Sequence, residues 1–216
     1  MEAGRLGLVD GIANCASRGM RVALLGKTSH DSAPKDGVSP LGALSRLVTG
    51  MSALGPGGEL DPEFALVTVP HASMGEPAFG MAPGRAELWA TLRTVTDPRM
   101  VALVEALVRA EAGAENLHNE TGYDKIFLTC VHDADARAVL LKAGRTGGVE
   151  FFEVETPMRW CKDFGRYGQA GAKAAMFLPV AGQDQPQLHN PDYDFPDARI
   201  GVGTDVFLGA IRALLG

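Results

Sequence analysis

The segment EFALVTVPHASMGEPAFGMAPGRAELWATLRTVT (Glu63–Thr96) lies near the middle of the chain and decides the fold. Its two ends are alternating apolar and polar runs, and a connection rich in glycine and proline joins them. This pattern predicts two neighbouring antiparallel strands with a long connection. The domain around this segment must therefore be built on an antiparallel sheet.

On the N-terminal side of this segment, the sequence predicts a strand and then a helix. MRVALLGKT (Met20–Thr28) is rich in apolar residues, which predicts a strand from Met20 to Leu25 that leads into a loop. PLGALSRLVTGMSAL (Pro40–Leu54) has apolar residues at helical spacing, begins with proline and is followed by glycines at 55, 57 and 58. These signals predict a helix with defined ends.

On the C-terminal side, a helix and a strand are predicted again. DPRMVALVEALVRAEAG (Asp97–Gly113) is strongly periodic, with an Asp97 cap and Pro98 at the first helical position. YDKIFLTCVHD (Tyr123–Asp133) is typical of a strand. The order from Met20 to His132 is thus β-α-β-β-α-β, which is the pattern of a ferredoxin-like domain.

Both ends of the chain contain less recognisable structure. Residues 1–19 form no element that the pattern can complete. Residues 133–216 predict a helix (Asp133–Gly144), two short buried strands (Gly147–Glu155 and Ala172–Val180) and a terminal helix (Pro196–Gly216). Because two strands rarely hold a domain together, we expect both ends to belong to one α/β domain that the 20–132 domain interrupts. Much of that α/β domain would lie outside this sequence, and its strand segments would expose apolar faces.

Composition excludes several classes of protein. The chain has 216 residues, 46% of them apolar and 21% charged, which is ordinary for a globular protein. A net charge of -6 without a basic block argues against nucleic acid as a partner. The three cysteines are far apart and odd in number, which favours a reducing cytoplasm. The N-terminus lacks the features of a signal peptide, and no apolar run is long enough for a membrane span.

Four motifs occur in a fixed order along the chain. They are GKTSHDSAPKDGVSP (Gly26–Pro40), GEPAFGMAPGRAELWATLRTVTD (Gly75–Asp97), RWCKDFGRYG (Arg159–Gly168) and LHNPDYDFPD (Leu188–Asp197). In this order and at these separations they resemble the M20 family of metal-dependent amidohydrolases and carboxypeptidases. The resemblance covers nearly the whole chain and corresponds to the second, C-terminal half of such an enzyme.

The resemblance implies a fold, a set of site residues and an assembly. The fold would be an α/β catalytic domain with two metal ions, interrupted by a ferredoxin-like lid that forms a homodimer. By motif match, His189 would be a metal ligand and Arg93 would bind the substrate carboxylate. His30 would reach the neighbouring subunit's site and stabilise the oxyanion there.

These residue types suit the chemistry that the resemblance implies, hydrolysis of the amide bond of an N-acyl amino acid or small peptide. An imidazole can donate a hydrogen bond to a developing oxyanion, and a guanidinium matches a planar carboxylate. The divalent metal implied is zinc, with manganese and cobalt left open because all three accept imidazole and carboxylate ligands.

The chain also departs from the family pattern. Lys162 stands where many members have an acidic residue, and Gly80 stands where an asparagine is common. The first half of the catalytic domain, with its other metal ligands and its glutamate base, is missing. The remaining histidines, His71, His118 and His132, are each isolated in the sequence. We therefore expect this chain alone to be inactive.

Simpler interpretations remain open for each site residue. His189 could be held by a turn, His30 could be an exposed loop residue, and Arg93 could pair with Glu76 or Glu87. The aspartates of the last motif suit turns and helix caps better than ligation, and Cys161 suits packing. Two functions follow: an amidohydrolase represented by part of its chain, or a dimerising remnant that has lost catalysis.

Overall fold

The computed structural model describes residues 5–95, 99–182 and 185–216, and these form two compact units. The central unit contains Cys15–Thr129 together with Arg159–Cys161. The terminal unit contains the described residues within 1–14, 130–158 and 162–216. No helix among the described residues is long and apolar enough to cross a membrane.

Eleven strands and five α-helices make up the described structure. The strands are β1 (Leu6–Val9), β2 (Ile12–Asn14), β3 (Ala16–Leu25), β4 (Ser29–His30), β5 (Ala65–Met74), β6 (Met81–Ala82), β7 (Arg85–Thr94), β8 (His118–Phe127), β9 (Cys130–Val131), β10 (Phe151–Val154) and β11 (Leu178–Pro179). The helices are α1 (Leu41–Leu54), α2 (Arg99–Ala114), α3 (Ala134–Thr146), α4 (Gly165–Gln169) and α5 (Ala198–Leu215).

The central unit is a four-stranded antiparallel sheet with two helices. The strand order is β5-β7-β3-β8, and the chain runs β3-α1-β5-β7-α2-β8 through the unit. This is the ferredoxin-like arrangement that the sequence predicted. Its core joins one face of the sheet to α1 and α2, and the fully buried side chains include Val22, Leu24, Leu47, Leu88 and Val104.

Alternation along the strands explains which face is buried. On β7, Ala86, Leu88, Ala90 and Leu92 are buried while the residues between them face outward. β5 lies at an edge of the sheet, and its register with β7 shifts between Thr68 and His71, around Pro70. Proline is tolerated there because an edge strand has backbone amides that need no partner within the sheet.

The terminal unit has a smaller sheet and two long helices. β1 is its central strand, paired in parallel with β10 and antiparallel with β11. Leu6 and Leu8 on β1 form a core with Leu140 of α3 and Val206 of α5. The helices α3 and α5 lie so close that a Cβ atom at Gly209 would be 3.1 Å from the Cβ of Ala143.

The long passage of the chain through the central unit, residues 15–129, begins and ends at paired strands. In the terminal unit, Asn14 of β2 pairs with Cys130 of β9. In the central unit, Ser17 of β3 pairs with Phe127 of β8. In both units, therefore, the outgoing and returning strands are neighbours.

Three expectations from the sequence need correction. Residues 1–19, which gave no predicted element, contain β1, β2 and the first part of β3. The strand predicted at Tyr123–Asp133 begins at His118 and ends at Phe127, because pairing with β3 overrides the turn-like composition of residues 118–122. The strand predicted within Ala172–Val180 is only two residues long. The predicted cap at Asp97 and Pro98 lies outside the described residues.

Candidate functional site

His30 lies on a short two-stranded ribbon in the central unit. His30 of β4 pairs with Met81 of β6, and its side chain is largely exposed to solvent. The ribbon is held by a pair of hydrogen bonds: the amide of Asp31 donates to the carbonyl of Gly80 at 3.3 Å, and the amide of Gly80 donates to Asp31 Oδ2 at 3.1 Å. His30 is thus an exposed imidazole on an anchored support.

Neighbouring groups contact one ring nitrogen of His30. The backbone amide of Ser32 donates to His30 Nδ1 at 3.2 Å, and Ser32 Oγ lies 2.8 Å from the same atom. The carboxylate oxygen Asp31 Oδ1, which can only accept, lies 3.1 Å from Nδ1 as well. These contacts all fall on Nδ1, so Nε2 is the ring nitrogen that can face a ligand.

Gly80, one of the two departures from the family pattern, is explained locally. Its φ is 86°, in the left-handed region where glycine is unstrained and asparagine is the next best tolerated. Replacing asparagine with glycine therefore keeps the backbone of the ribbon and removes only the side-chain amide.

Arg93 lies at the other end of the central sheet, on β7. It is partly buried, and its Nη1 donates to Cys161 Sγ at 3.5 Å. Among the described residues it forms no ion pair with Glu76 or Glu87, and Glu87 instead accepts a hydrogen bond from Trp89. A thiol is a weak acceptor, so this contact positions the guanidinium without neutralising it.

A second guanidinium, that of Arg159, lies in the same neighbourhood as Arg93, and sequence reasoning missed it. Both charges act on the thiol of Cys15. Burial raises the pKa of this thiol, while the charges of Arg93 and Arg159 lower it. Arg159 is held by a hydrogen bond from Nη2 to the carbonyl of Gly58 at 2.5 Å and by its position over the ring of Phe64. The sequence signal for Arg159 was only its place within the third motif.

His189 lies in the terminal unit, on an exposed turn. The amide of Asn190 donates to the carbonyl of Gln187, and the amide of Tyr193 donates to the carbonyl of Asn190. Two turns thus follow one another, and His189, with a φ of 78°, lies within the first of them. This left-handed backbone is uncommon for residues other than glycine, so the turn that the sequence predicted constrains the backbone at His189.

The residues present do not complete a metal centre. Among residues 5–95, 99–182 and 185–216, no three histidine, cysteine, aspartate or glutamate side chains lie close enough together to hold an ion. Structural and catalytic zinc sites use three or four protein ligands. His189 could be one ligand of such a centre, and the others must come from outside the described residues.

His30 and Arg93 lie at opposite ends of the central sheet. Arg93 pairs with Ser17 near the start of β3, whereas His30 follows the end of that strand at Leu25. Eight residues of extended strand separate these positions, a length of about 27 Å. One central unit therefore does not bring His30 and Arg93 to the same small ligand.

His132, which the sequence left without a role, is a structural residue. It is buried, its Nδ1 lies 3.0 Å from the carbonyl oxygen of Val9, and its Nε2 accepts from the amide of Met176 at 3.2 Å. Burial lowers the pKa of this imidazole, so the neutral ring is favoured in the folded protein.

Comparison with known proteins identifies the fold. No family model and no curated protein matches the sequence. The chain is similar to a dinuclear metal-binding peptidase of the M20 family from Bacillus subtilis (TM-score 0.72, 15% identity), with 100% of this chain and 54% of that chain covered.

Two further solved structures give the same result. An amidase of the hydantoinase/carbamoylase family from Burkholderia vietnamiensis has a TM-score of 0.71 at 20% identity, over 95% of this chain and 49% of that one. An aminobenzoyl-glutamate utilization protein from Klebsiella pneumoniae has a TM-score of 0.73 at 16% identity, over 97% of this chain and 51% of that one. The chain thus spans about half the length of the structures it matches. The similarity to M20-type peptidases and amidohydrolases that the four motifs indicated is confirmed for the fold: this chain has the architecture of about half of such an enzyme.

Proposed function

We propose that this chain is part of a metal-dependent hydrolase that cleaves the amide bond of an N-acyl amino acid or small peptide. The architecture shared with solved M20-type peptidases and amidases carries the proposal. The separation of His30 from Arg93 by about the length of β3 fits a site shared between two subunits. If both residues act on one substrate, they belong to different copies of the chain. This supports the homodimer that the family resemblance implies.

His30 would act as the oxyanion donor. Asp31 and Ser32 occupy Nδ1, so a proton carried on Nε2 would be the one that meets negative charge on the scissile carbonyl oxygen. The anchored ribbon limits the orientations of the ring before substrate binds, which reduces the entropy lost in the transition state.

Arg93 would bind the carboxylate of the substrate. Its contact with Cys161 holds the guanidinium in place, and a planar fork suits a carboxylate in two-point contact. Arg159 adds positive charge nearby, which favours an anionic ligand at this end of the sheet.

His189 would contribute one ligand to a centre of divalent metal, with zinc favoured. Such a centre, when complete, supplies an activated water and polarises the carbonyl. The described residues provide no cluster of three ligands, so we assign the other ligands and the carboxylate base to polypeptide outside this chain. Three free cysteines fit a reducing cytoplasm as the place of action.

The test is reconstitution with the missing half. The 216-residue chain alone should bind zinc weakly and hydrolyse no N-acetyl amino acid. Co-expression with the remaining half of an M20-type amidohydrolase should restore metal-dependent hydrolysis. In that complex, His189→Ala should abolish activity with loss of metal, whereas His30→Ala should lower turnover about 10²–10³-fold with metal retained.

A non-catalytic dimerising remnant is the second candidate, and the lack of a three-ligand cluster among the described residues favours it. This candidate predicts a dimer that no complementary half can activate. Hydrolysis by the chain alone that survives His189→Ala would contradict both candidates.

A further inference from the structure

The terminal helix α5 has two apolar faces, and only one of them is covered. On one face Val206 and Ala210 are buried, in the cluster that includes Leu140 and Ala143 of α3. On the other, five large side chains are 43 to 83% exposed, and we name them the α5 stripe: Phe207, Leu208, Ile211, Leu214 and Leu215. Asp205 and Arg212 take up the remaining side of the helix, and an apolar face of a helix is normally buried.

The α5 stripe continues into a groove of the terminal unit. Leu214 belongs to the stripe and also lines a groove of about 620 Å³ together with Val139, Leu140, Phe164 and Tyr167. The stripe from Phe207 to Leu215 spans about 12 Å along the helix. Stripe and groove meet at Leu214, and a contiguous exposed apolar surface is typical of a site that another polypeptide covers.

The sheet of the terminal unit also has edges that another polypeptide could cover. It has three strands, and β10 and β11 are its edges. A parallel pair such as β1–β10 normally belongs to a larger sheet with helices on both faces. An open edge strand offers unpaired amides and carbonyls to another strand.

The solved structures indicate which polypeptide is absent. The matches to three solved structures cover 95–100% of this chain but only 49–54% of the length of those three chains. About as much chain again belongs to the same folds in those proteins. We propose that the α5 stripe and its groove are the docking surface for the remaining half of the catalytic domain. This inference rests on the proposed function and adds the surface through which the two halves join.

The experiment measures whether the other half of such an enzyme binds this chain when neither metal nor substrate is present. The probe is the part of the Bacillus subtilis M20 peptidase that this chain does not match, tagged and co-expressed with the full 216-residue chain. The wild-type chain should be captured, and amide exchange across residues 207–215 should slow at least tenfold in the complex.

Matched variants locate the contact. Ile211→Ser with Leu214→Ser should weaken capture by more than about tenfold, because two apolar side chains leave the contact. Leu41→Ser with Leu103→Ser makes the same chemical change at exposed helical positions of the central unit and should leave capture unchanged. Circular dichroism confirms that both double variants fold.

Three outcomes would overturn the proposal. They are failure to capture the wild-type chain, capture that the stripe variant retains, and self-association of the chain alone that the stripe variant abolishes. The last would assign the surface to a second copy. Capture without hydrolysis would contradict the proposed function and leave this inference standing. Hydrolysis by a complex in which the α5 amides remain unprotected would contradict this inference and leave the proposed function standing.

Discussion

The central and terminal units differ in how completely each closes its own core. The central unit joins a four-stranded sheet and two helices in a continuous core in which Leu24, Leu47 and Leu88 have no solvent exposure. The terminal unit has a three-stranded sheet, a smaller core and an exposed apolar helix face. A closed core supports folding alone, whereas an open one needs a partner. The two regions should therefore respond differently to the same kind of substitution.

The largest difference should come from removing a buried leucine. Leu88→Ala in the central unit should lower the free energy of unfolding by roughly 2–5 kcal/mol, because close packing on all sides prevents collapse of the cavity. Leu140→Ala should cost less, since Leu140 borders the open groove. Both tryptophans, Trp89 and Trp160, lie in the central unit, so fluorescence follows that unit and amide exchange follows the other. Equal costs would contradict the contrast between the cores.

A pair of glycines should change stability in opposite directions. A Cβ at Gly144 in the terminal unit would lie 2.4 Å from the ring of Phe151, so Gly144→Ala should destabilise that unit by about 1–3 kcal/mol. Gly113 in α2 has nothing within 4 Å of such an atom. Gly113→Ala should raise stability by about 0.5–1 kcal/mol. Urea unfolding of each variant measures both effects, and loss of stability at Gly113 would be the unexpected result.

Acid should destabilise the terminal unit through His132. Its pKa in the folded protein lies below the ordinary value of 6.5, so the unfolded chain takes up the proton more readily. Stability is intact above pH 6.5 and falls as the pH drops below that value toward the folded pKa.

His132→Ala tests this assignment. It should cost about 1–3 kcal/mol at pH 7.5, because the carbonyl of Val9 and the amide of Met176 lose their partner, and it should flatten the acid dependence. NMR signals of the terminal unit followed in urea between pH 5 and 8 provide the measurement. An unchanged slope in the variant would rule out His132 as the source.

The smallest effect should come from a hydrogen bond of the central unit. Tyr123 donates to the carboxylate of Glu105, and burial with this bond raises the pKa of Tyr123 to about 12. Because the neutral phenol is the favoured folded form, its contribution is complete below pH 10 and is lost as the pH rises toward 12. Tyr123→Phe should cost about 0.5–1.5 kcal/mol. It should also remove one late step from the ultraviolet titration of tyrosine, and a titration identical to wild type would refute the assignment.

The sequence predicted the central unit well because its elements are long and its signals agree. The periodic runs of α1 and α2 and the alternation on β7 each identify both the type of element and its buried face. The terminal unit was harder to predict. β1 is a four-residue apolar run whose strand character depends on β10, which lies far away in the sequence. Such short strands are defined by their partners and not by their own composition.

Exposed apolar surface was expected in the terminal unit on the strands of residues 147–155 and 172–180. There Phe151 and Phe177 pack edge to face and are partly buried. The helix α5 carries further exposed apolar side chains that the sequence did not single out. A helical pattern indicates that α5 is amphipathic, but it does not reveal how many of its faces will find partners.

For the candidate site, motif resemblance selected His30, Arg93 and His189, and physical reasoning from sequence could not have found them alone. The structure adds what sequence cannot contain: the contacts of Asp31 and Ser32 with Nδ1 of His30, the position of Arg159 near Arg93, and the distance along β3. These depend on three-dimensional contacts between residues whose spacing in the chain carries no signal.

The paired strands at which the chain passes between units make the central unit a replaceable cassette. Asn14 and Cys130 are antiparallel neighbours in the terminal unit, as are Ser17 and Phe127 in the central unit. A short turn is enough to join two antiparallel neighbours, so deleting the cassette would leave its host a simple hairpin. Conversely, a different cassette whose two ends lie side by side could be grafted at the same point. Such an exchange would leave the strand pairing of the α/β host unchanged.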